Sequence, residues 1–382
     1  MPVITPRLRT LLPRKGQSGF APKSAVMDRL TDLPPIADNP GGLTGRYFVP
    51  KGRTGPMPLV VVLHGCTQNA AVYDTGSGWS QLAERHGFAL LFPEQSRANN
   101  PMLCFNWFSP TDIQRGSGEA ASIKAMVDAM RRSHDIDAAR IFVTGLSAGG
   151  AMTSVMLATY PELFSAGAII AGVAYGCASD VTEAFDCMGG RARSGGAELG
   201  RRVRGASAHK GGWPRVQIWH GGADTTVVAS NADTIALQWA DLHGLAAQPD
   251  RVDKVEGYPR RAWLGADGTP LIEHYSITGM AHGIPIHPGT GEGQSGEAGA
   301  HMLDVGLSST DRIAEFFGIT AAAAQPEATS RAARPEPETV TRVLTPIKTA
   351  TAQPRPQPAP APEPEGVQAV IEKALRAAGL MR

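Results

Sequence analysis

The stretch Thr144-Gly145-Leu146-Ser147-Ala148-Gly149-Gly150 contains the pattern G-x-S-x-G. Before it stands an apolar run, Arg140-Ile141-Phe142-Val143, which reads as a buried strand. After it comes Ala151-Met152-Thr153-Ser154-Val155-Met156-Leu157-Ala158, which reads as a helix. Strand, sharp turn and helix in that order are what a nucleophile elbow requires. The turn holds the serine in a strained conformation, and strand and helix approach so closely that the neighbouring side chains must be very small. Gly145, Gly149 and Gly150 meet that demand. A serine placed there also sits at a helix N-terminus, where the dipole favours developing negative charge.

The rhythm of strand and helix extends outward from this stretch. Residues 45–49 read as a first, edge strand. Pro58-Leu59-Val60-Val61-Val62-Leu63 is a continuous apolar run, expected of a strand covered on both faces, and it ends at His64-Gly65-Cys66. A helix over residues 80–86 and a buried strand over 88–92 follow. That strand leads through Pro93-Glu94-Gln95 into a polar and aromatic loop holding Asn99, Asn100, Cys104, Phe105, Asn106, Trp107 and Phe108. Residues 113–132 carry Ile123, Met126, Val127 and Met130 at helical spacing. Strands at 166–172, 215–219 and 271–277 and helices at 231–242 and 310–317 complete the pattern. Residues 173–212, rich in Gly, Arg and Ala, break it and read as a small cap inserted over the sheet. The alternation implies an α/β fold with a doubly wound, mostly parallel sheet, whose sites lie in loops at the strand carboxyl ends.

Candidate chemistry falls at those ends. A lone serine is a weak nucleophile and needs a base to take its proton and an acid to orient that base. Asp224 follows the 215–219 strand in the glycine-rich loop His220-Gly221-Gly222-Ala223-Asp224, whereas Asp233 and Asp304 lack that placement. His282, between Ala281 and Gly283 just past a strand, is the expected base, ahead of His274 inside a strand, His287 near a Pro-rich turn, and His301. The chain order Ser147, Asp224, His282 is that of an α/β-hydrolase. Two backbone N–H groups, of Ala148 and Cys66, are expected to form an oxyanion hole.

Composition bounds the rest. The chain has 382 residues, 42% hydrophobic and 19% charged, enough for one large core plus extensions. A net charge of +1 gives no reason to expect nucleic acid. There is no apolar run of membrane-spanning length. No C-x-x-C occurs, so no zinc or redox motif is expected, and no metal or cofactor. Cys177 and Cys187 are ten apart in one loop, while Cys66 and Cys104 follow two different strands. Two disulfides and four free thiols both remain open from spacing alone. The expected division is a loosely ordered segment (1–40), a hydrolase domain (41–319), a Pro/Ala-rich disordered linker (320–366) and a short amphipathic helix (367–382). On that last helix Val367, Val370, Ile371, Ala374, Leu375 and Ala378 form one apolar stripe, which would suit docking to a partner or a polymer granule.

Six motifs in order carry a family resemblance: Leu63-His64-Gly65-Cys66-Thr67-Gln68, Pro93-Glu94-Gln95, Cys104-Phe105-Asn106-Trp107-Phe108, residues 145–150, Ala174-Tyr175-Gly176-Cys177 and Trp219-His220-Gly221-Gly222-Ala223-Asp224. Across about residues 44–317 the chain resembles the polyhydroxybutyrate depolymerase family of esterases, related to feruloyl and acetylxylan esterases of the α/β-hydrolase fold. The resemblance implies Ser147 as nucleophile, Asp224 as acid, His282 as base and Cys66 as oxyanion donor. It also implies a Cys66–Cys104 bridge and a substrate pocket near His64, Phe105 and Trp107. The expected activity is therefore a serine esterase acting on short-chain hydroxyalkanoate, oligomeric or polymeric, or on related acyl esters. A feruloyl or acetylxylan type of carbohydrate esterase is the alternative, and a non-enzymatic scaffold displaying the tail helix is a third reading, against which the intact Ser, Asp and His argue. Residues 1–16 lack the apolar core of a signal peptide, which reads as cytoplasmic, whereas the resemblance and paired cysteines read as secreted. No folded substrate-binding domain is expected after the linker in this sequence, and with no visible secretion signal the expectation leans away from insoluble extracellular polymer.

Overall fold

Ten strands form one sheet: β1 (Thr31–Asp32), β2 (Thr44–Phe48), β3 (Met57–Leu63), β4 (Ala89–Glu94), β5 (Ile136–Leu146), β6 (Ala166–Ile170), β7 (Arg215–Gly221), β8 (Arg251–Val255), β9 (Tyr258–Leu264) and β10 (Pro270–Ile277). The structure is a computed structural model, and it describes residues 28–191 and 194–320. The linker expected over 320–366, apart from residue 320, the tail helix expected over 367–382, and most of the 1–40 segment lie outside the described residues. Spatial order is β1-β2-β4-β3-β5-β6-β7-β10-β9-β8. The run from β4 to β10 is parallel throughout, and β1, β2, β9 and β8 pair antiparallel at the two margins.

Helices cover both faces: α1 (Ala70–Ser77), α2 (Trp79–His86), α3 (Gly118–Ser133), α4 (Ala148–Thr159), α5 (Val181–Met188), α6 (Gly196–Gly205), α7 (Ser230–His243) and α8 (Ser309–Phe316). Every residue of β3 is buried. Its side chains alternate between two cores, as the strand period requires. Leu59, Val61 and Leu63 join Met126, Val155, Val203 and Trp239 of α3, α4, α6 and α7. Val60 and Val62 join Tyr73, Leu82 and Ile313 of α1, α2 and α8. A continuous apolar run is thus what a strand between two helical layers needs.

The fold differs from the sequence-based expectations in detail. Residues 45–49 are not the edge, because β1 pairs outside β2. The helix expected from residue 113 starts at Gly118, after a turn region in which Ala120 N–H donates to Asp112 O. Of residues 173–212, expected as a cap, only the part with α5 lies over the pocket; α6 packs into the main core through Leu199 and Val203 as the helix that connects the parallel strands β6 and β7. The β8–β9 hairpin was not legible, since its strands are rich in charge and Pro259 interrupts the pattern. Its two-residue turn, Glu256-Gly257, has φ of 47° and 85°, as a tight hairpin turn requires. A small pair, β11 (Ile284–Ile286) and β12 (Met302–Asp304), lies past the end of β10.

Candidate active site

Ser147 is the single residue between β5 and α4, with φ 57° and ψ −118°. Its N–H donates to Ile170 O at 2.9 Å, and its carbonyl accepts from Ala151 N–H at 2.8 Å, so the strained turn is fixed from both sides. A Cβ on Gly145 would lie 2.4 Å from Gly149 O, one on Gly149 2.2 Å from Leu63 O, and one on Gly150 2.7 Å from Ile170 O. These neighbours are backbone atoms of β3, β6 and the first turn of α4 and cannot move aside.

Asp224 reaches the site because the loops after β7 and β10 are stitched together. Gly222 N–H donates to Ile277 O and Ala223 N–H to Met280 O, at 2.8 and 2.9 Å. Gly221 permits this approach, since a Cβ there would stand 2.3 Å from Met280 O. Asp224 Oδ1 accepts the N–H groups of Thr226 and Val227, both at 2.9 Å. Its Oδ2 accepts from His282 Nδ1–H at 2.7 Å. Burial pushes the Asp224 carboxyl up, but the His282 hydrogen bond and charge, with the Val227 N–H, outweigh it and hold the group below its ordinary value. With Nδ1 carrying the proton, His282 presents Nε2 as an acceptor. His220 stands behind this pair, its Nε2–H donating to Val227 O at 2.8 Å. Burial pushes the His220 imidazole below its ordinary value.

The competing residues lie elsewhere. His274 is buried in β10 beside Arg261, and burial with that cation lowers it to about 3. His287 contacts Gln294. Asp233 pairs with Arg261, and Asp304 accepts from Gly306 N–H. His301, however, is a neighbour of the site: its Nδ1–H donates to His282 O at 3.1 Å.

The loop after β3 brings Cys66 opposite the elbow. Gly65 N–H donates to Gln68 Oε1 at 2.9 Å, and Thr67 N–H to Met102 O at 2.7 Å. Cys66 is bonded to Cys104, which ties this loop to the 99–108 loop. Cys177 is bonded to Cys187, which ties the cap strand-end to α5. Among the described residues, neither Cys66 N–H nor Ala148 N–H donates to a backbone carbonyl. As the first residue of α4, Ala148 has no partner within its helix.

Ser147, Cys66, Ala148, His282 and His301 all line one cavity of about 340 Å³. Trp107, Phe108 and Val173 form part of its wall, with Val181, Phe185 and Met188 contributed by the cap. No Lys, Arg, Asp or Glu among the described residues lines it. An uncharged, partly aliphatic group suits such a space. Trp107 is in the wall as expected, but His64 and Phe105 are not. Both are buried, at 2% and 0% exposure, with their rings 5.0 Å apart. His64 donates through Nδ1 to Gly65 O and accepts Gln95 N–H at Nε2, so it braces the loop that carries Cys66 from behind. Burial lowers it to about 4, keeping it neutral in that role.

Sequence reasoning missed a supporting carboxyl. Glu119 in α3 accepts from Gln95 Nε2, Asn106 N–H and Asn106 Nδ2 at 2.5, 2.8 and 2.8 Å. Burial pushes it up to about 8 against the pull of those donors. It anchors the loop that carries Cys104 and Trp107. An acidic residue in a helical first turn is commonplace, so nothing local marks Glu119 as buried.

The comparisons with known proteins agree with this geometry. Residues 44–253 match the family model described as esterase PHB depolymerase. Over 301 residues the chain is 48% identical to the poly(3-hydroxyalkanoate) depolymerase C of Paucimonas lemoignei, a match spanning 78% of this chain and 72% of that protein. It is 33% identical over 264 residues to an acetylxylan esterase of Coprinopsis cinerea, spanning 67% of this chain and 70% of that protein. Among solved structures, an acetyl xylan esterase from Aspergillus awamori superposes with a TM-score of 0.64 at 26% identity, covering 76% of this chain and 99% of that one. With a buried parallel sheet, a strained serine at its elbow and these relatives, the chain belongs to the PHB depolymerase family of α/β-hydrolase esterases.

Proposed function

We propose that Ser147, His282 and Asp224 are the nucleophile, base and acid of a carboxylic ester hydrolase acting on short-chain hydroxyalkanoate or related acyl esters. The observation that carries this reading is that His282, bonded to the buried Asp224 at 2.7 Å, lines the same apolar cavity as the strained Ser147. In this mechanism His282 Nε2 takes the Ser147 hydroxyl proton as Oγ attacks the ester carbonyl carbon. The tetrahedral oxyanion lies against the N–H groups of Cys66 and Ala148. His282 then gives its proton to the departing alcohol oxygen, leaving an acyl group on Ser147. A water molecule, deprotonated by His282 in turn, releases the acid and restores the serine.

Similarity to the Paucimonas depolymerase supports a hydroxyalkanoate substrate, and the apolar wall supports an uncharged acyl chain. Carbohydrate esterase activity is the second reading, supported by the acetylxylan esterase relatives. Hydrolysis rates on hydroxybutyrate oligomers, acetylated xylan and feruloyl esters separate the two. Faster turnover of acetylated xylan than of every hydroxybutyrate oligomer would overturn the first reading. Docking of residues 367–382 to a granule or partner belongs to the same reading, and a chain ending at residue 320 tests it by loss of co-sedimentation.

A further inference from the structure

We propose that His301 is a specificity-determining residue that accepts a hydrogen bond from a substrate hydroxyl close to the scissile ester. It lines the same cavity as Ser147 and His282. Its ring stands edge-on to that of His282, with centroids 5.8 Å apart. Its Nδ1 bonds to His282 O at 3.1 Å. A carbonyl only accepts, so Nδ1 carries the proton and Nε2 of the neutral ring is an acceptor. The cavity therefore holds two imidazole acceptors side by side. Asp224 orients the one on His282, and the one on His301 has no role in the triad chemistry.

The backbone holds His301 in place. Its φ is 61°, a left-handed value uncommon in non-glycine residues but one that histidine tolerates better than most. Ile284 N–H donates to His301 O at 2.8 Å, and Ile284 pairs with Met302. Gly283 allows that approach, because a Cβ there would lie 2.8 Å from His301 O. Residues 282–284 and 301–302 are thus braced in both directions, and the position of Nε2 follows that of His282.

With no charged side chain in the wall, His301 Nε2 is an acceptor that discriminates between a hydroxyl and a hydrogen on otherwise equal esters. The hydroxyl has two chemical sources: the β-hydroxyl of a hydroxyacyl group, or a vicinal hydroxyl on a sugar-like alcohol. The inference rests on the proposed ester hydrolysis at Ser147.

Two matched pairs test it on the full chain: ethyl 3-hydroxybutyrate against ethyl butyrate, and trans-2-hydroxycyclohexyl acetate against cyclohexyl acetate. The readout is the ratio of kcat/KM within each pair, which cancels any general loss of activity. Wild-type protein should prefer the hydroxyl-bearing member of one pair, and which pair identifies the source. His301→Asn suits a positive φ and keeps a donor at the Nδ1 position, but has nothing at Nε2. It should reduce the preference about 3- to 10-fold, the worth of one hydrogen bond. His301→Gln places an acceptor near Nε2 and should retain part of the preference. Equal rates within both wild-type pairs, or an unchanged ratio in His301→Asn, overturns the proposal while leaving ester hydrolysis intact. If no ester in either pair is hydrolysed, the reading of Ser147 fails as well.

Discussion

His282 Nδ1 lies 2.7 Å from Asp224 Oδ2, and that carboxylate has no exposed side-chain surface. The bond joins residues separated by 58 positions through two loops that are themselves hydrogen-bonded. A buried acceptor of this kind fixes which imidazole nitrogen carries the proton.

Replacing the acid therefore reverses the tautomer more than it disturbs the fold. Asp224→Asn should lower kcat by about 10⁴-fold, as loss of an orienting carboxylate does in such triads. Stability should change with pH as well. Since the folded carboxyl is held below its ordinary value, its contribution is fully present above about pH 4 and is lost as pH falls through the lower folded value. Urea melts of wild type and Asp224→Asn between pH 7 and pH 2 should converge at the acid end. A gap that widens on acidification contradicts this.

At the elbow, activity and strain are separable. Ser147→Ala should lose at least about 10³-fold in kcat, with little change in melting. Ser147→Gly should be equally inactive yet more stable than Ser147→Ala by about 1 kcal/mol, because φ of 57° suits glycine. A serine-reactive phosphonate should label Ser147 in the wild type and neither variant. Calorimetry showing Ser147→Gly as the less stable variant would count against the strain argument.

The two disulfides should differ in what their loss does. Cys66–Cys104 closes 38 residues and Cys177–Cys187 closes 10, which chain entropy places at about 4 and about 3 kcal/mol. Cys66→Ser with Cys104→Ser frees the loop proposed to hold the oxyanion and should lower kcat. Cys177→Ser with Cys187→Ser loosens the cap helix that carries Phe185 and Met188, and should mainly raise KM. Steady-state kinetics on both double variants decides whether that split holds.

Glu119 gives a pH effect of the opposite sign. Its folded value, about 8, exceeds its ordinary value near 4.5, so its contribution is present below pH 4.5 and is lost as pH rises through 8. Glu119→Gln should flatten the fall in melting temperature over that window. An unchanged slope in scans from pH 5 to 9 would show that Glu119 stays ionised among its three N–H donors.

The sequence by itself determined the elements whose causes are local. Gly145, Gly149 and Gly150 around Ser147, the apolar run of 58–63 and the Gly-rich loop before Asp224 announce a parallel sheet with chemistry at its strand ends, because steric demand and burial act on consecutive residues. Tertiary structure decided what depends on distance through space. It brought His282 to Asp224 and set His301 beside them, while it sealed His274 into the sheet. It placed His64 and Phe105 not in the pocket wall but in the brace behind the loop that carries Cys66. It buried Glu119 under the 99–108 loop, and paired Cys66 with Cys104 across 38 residues. The local context of each histidine ranked the candidates, but only the fold showed what packs against each of them. An imidazole acquires its role from its hydrogen-bond partners and its burial, and those are supplied by segments far away in the chain.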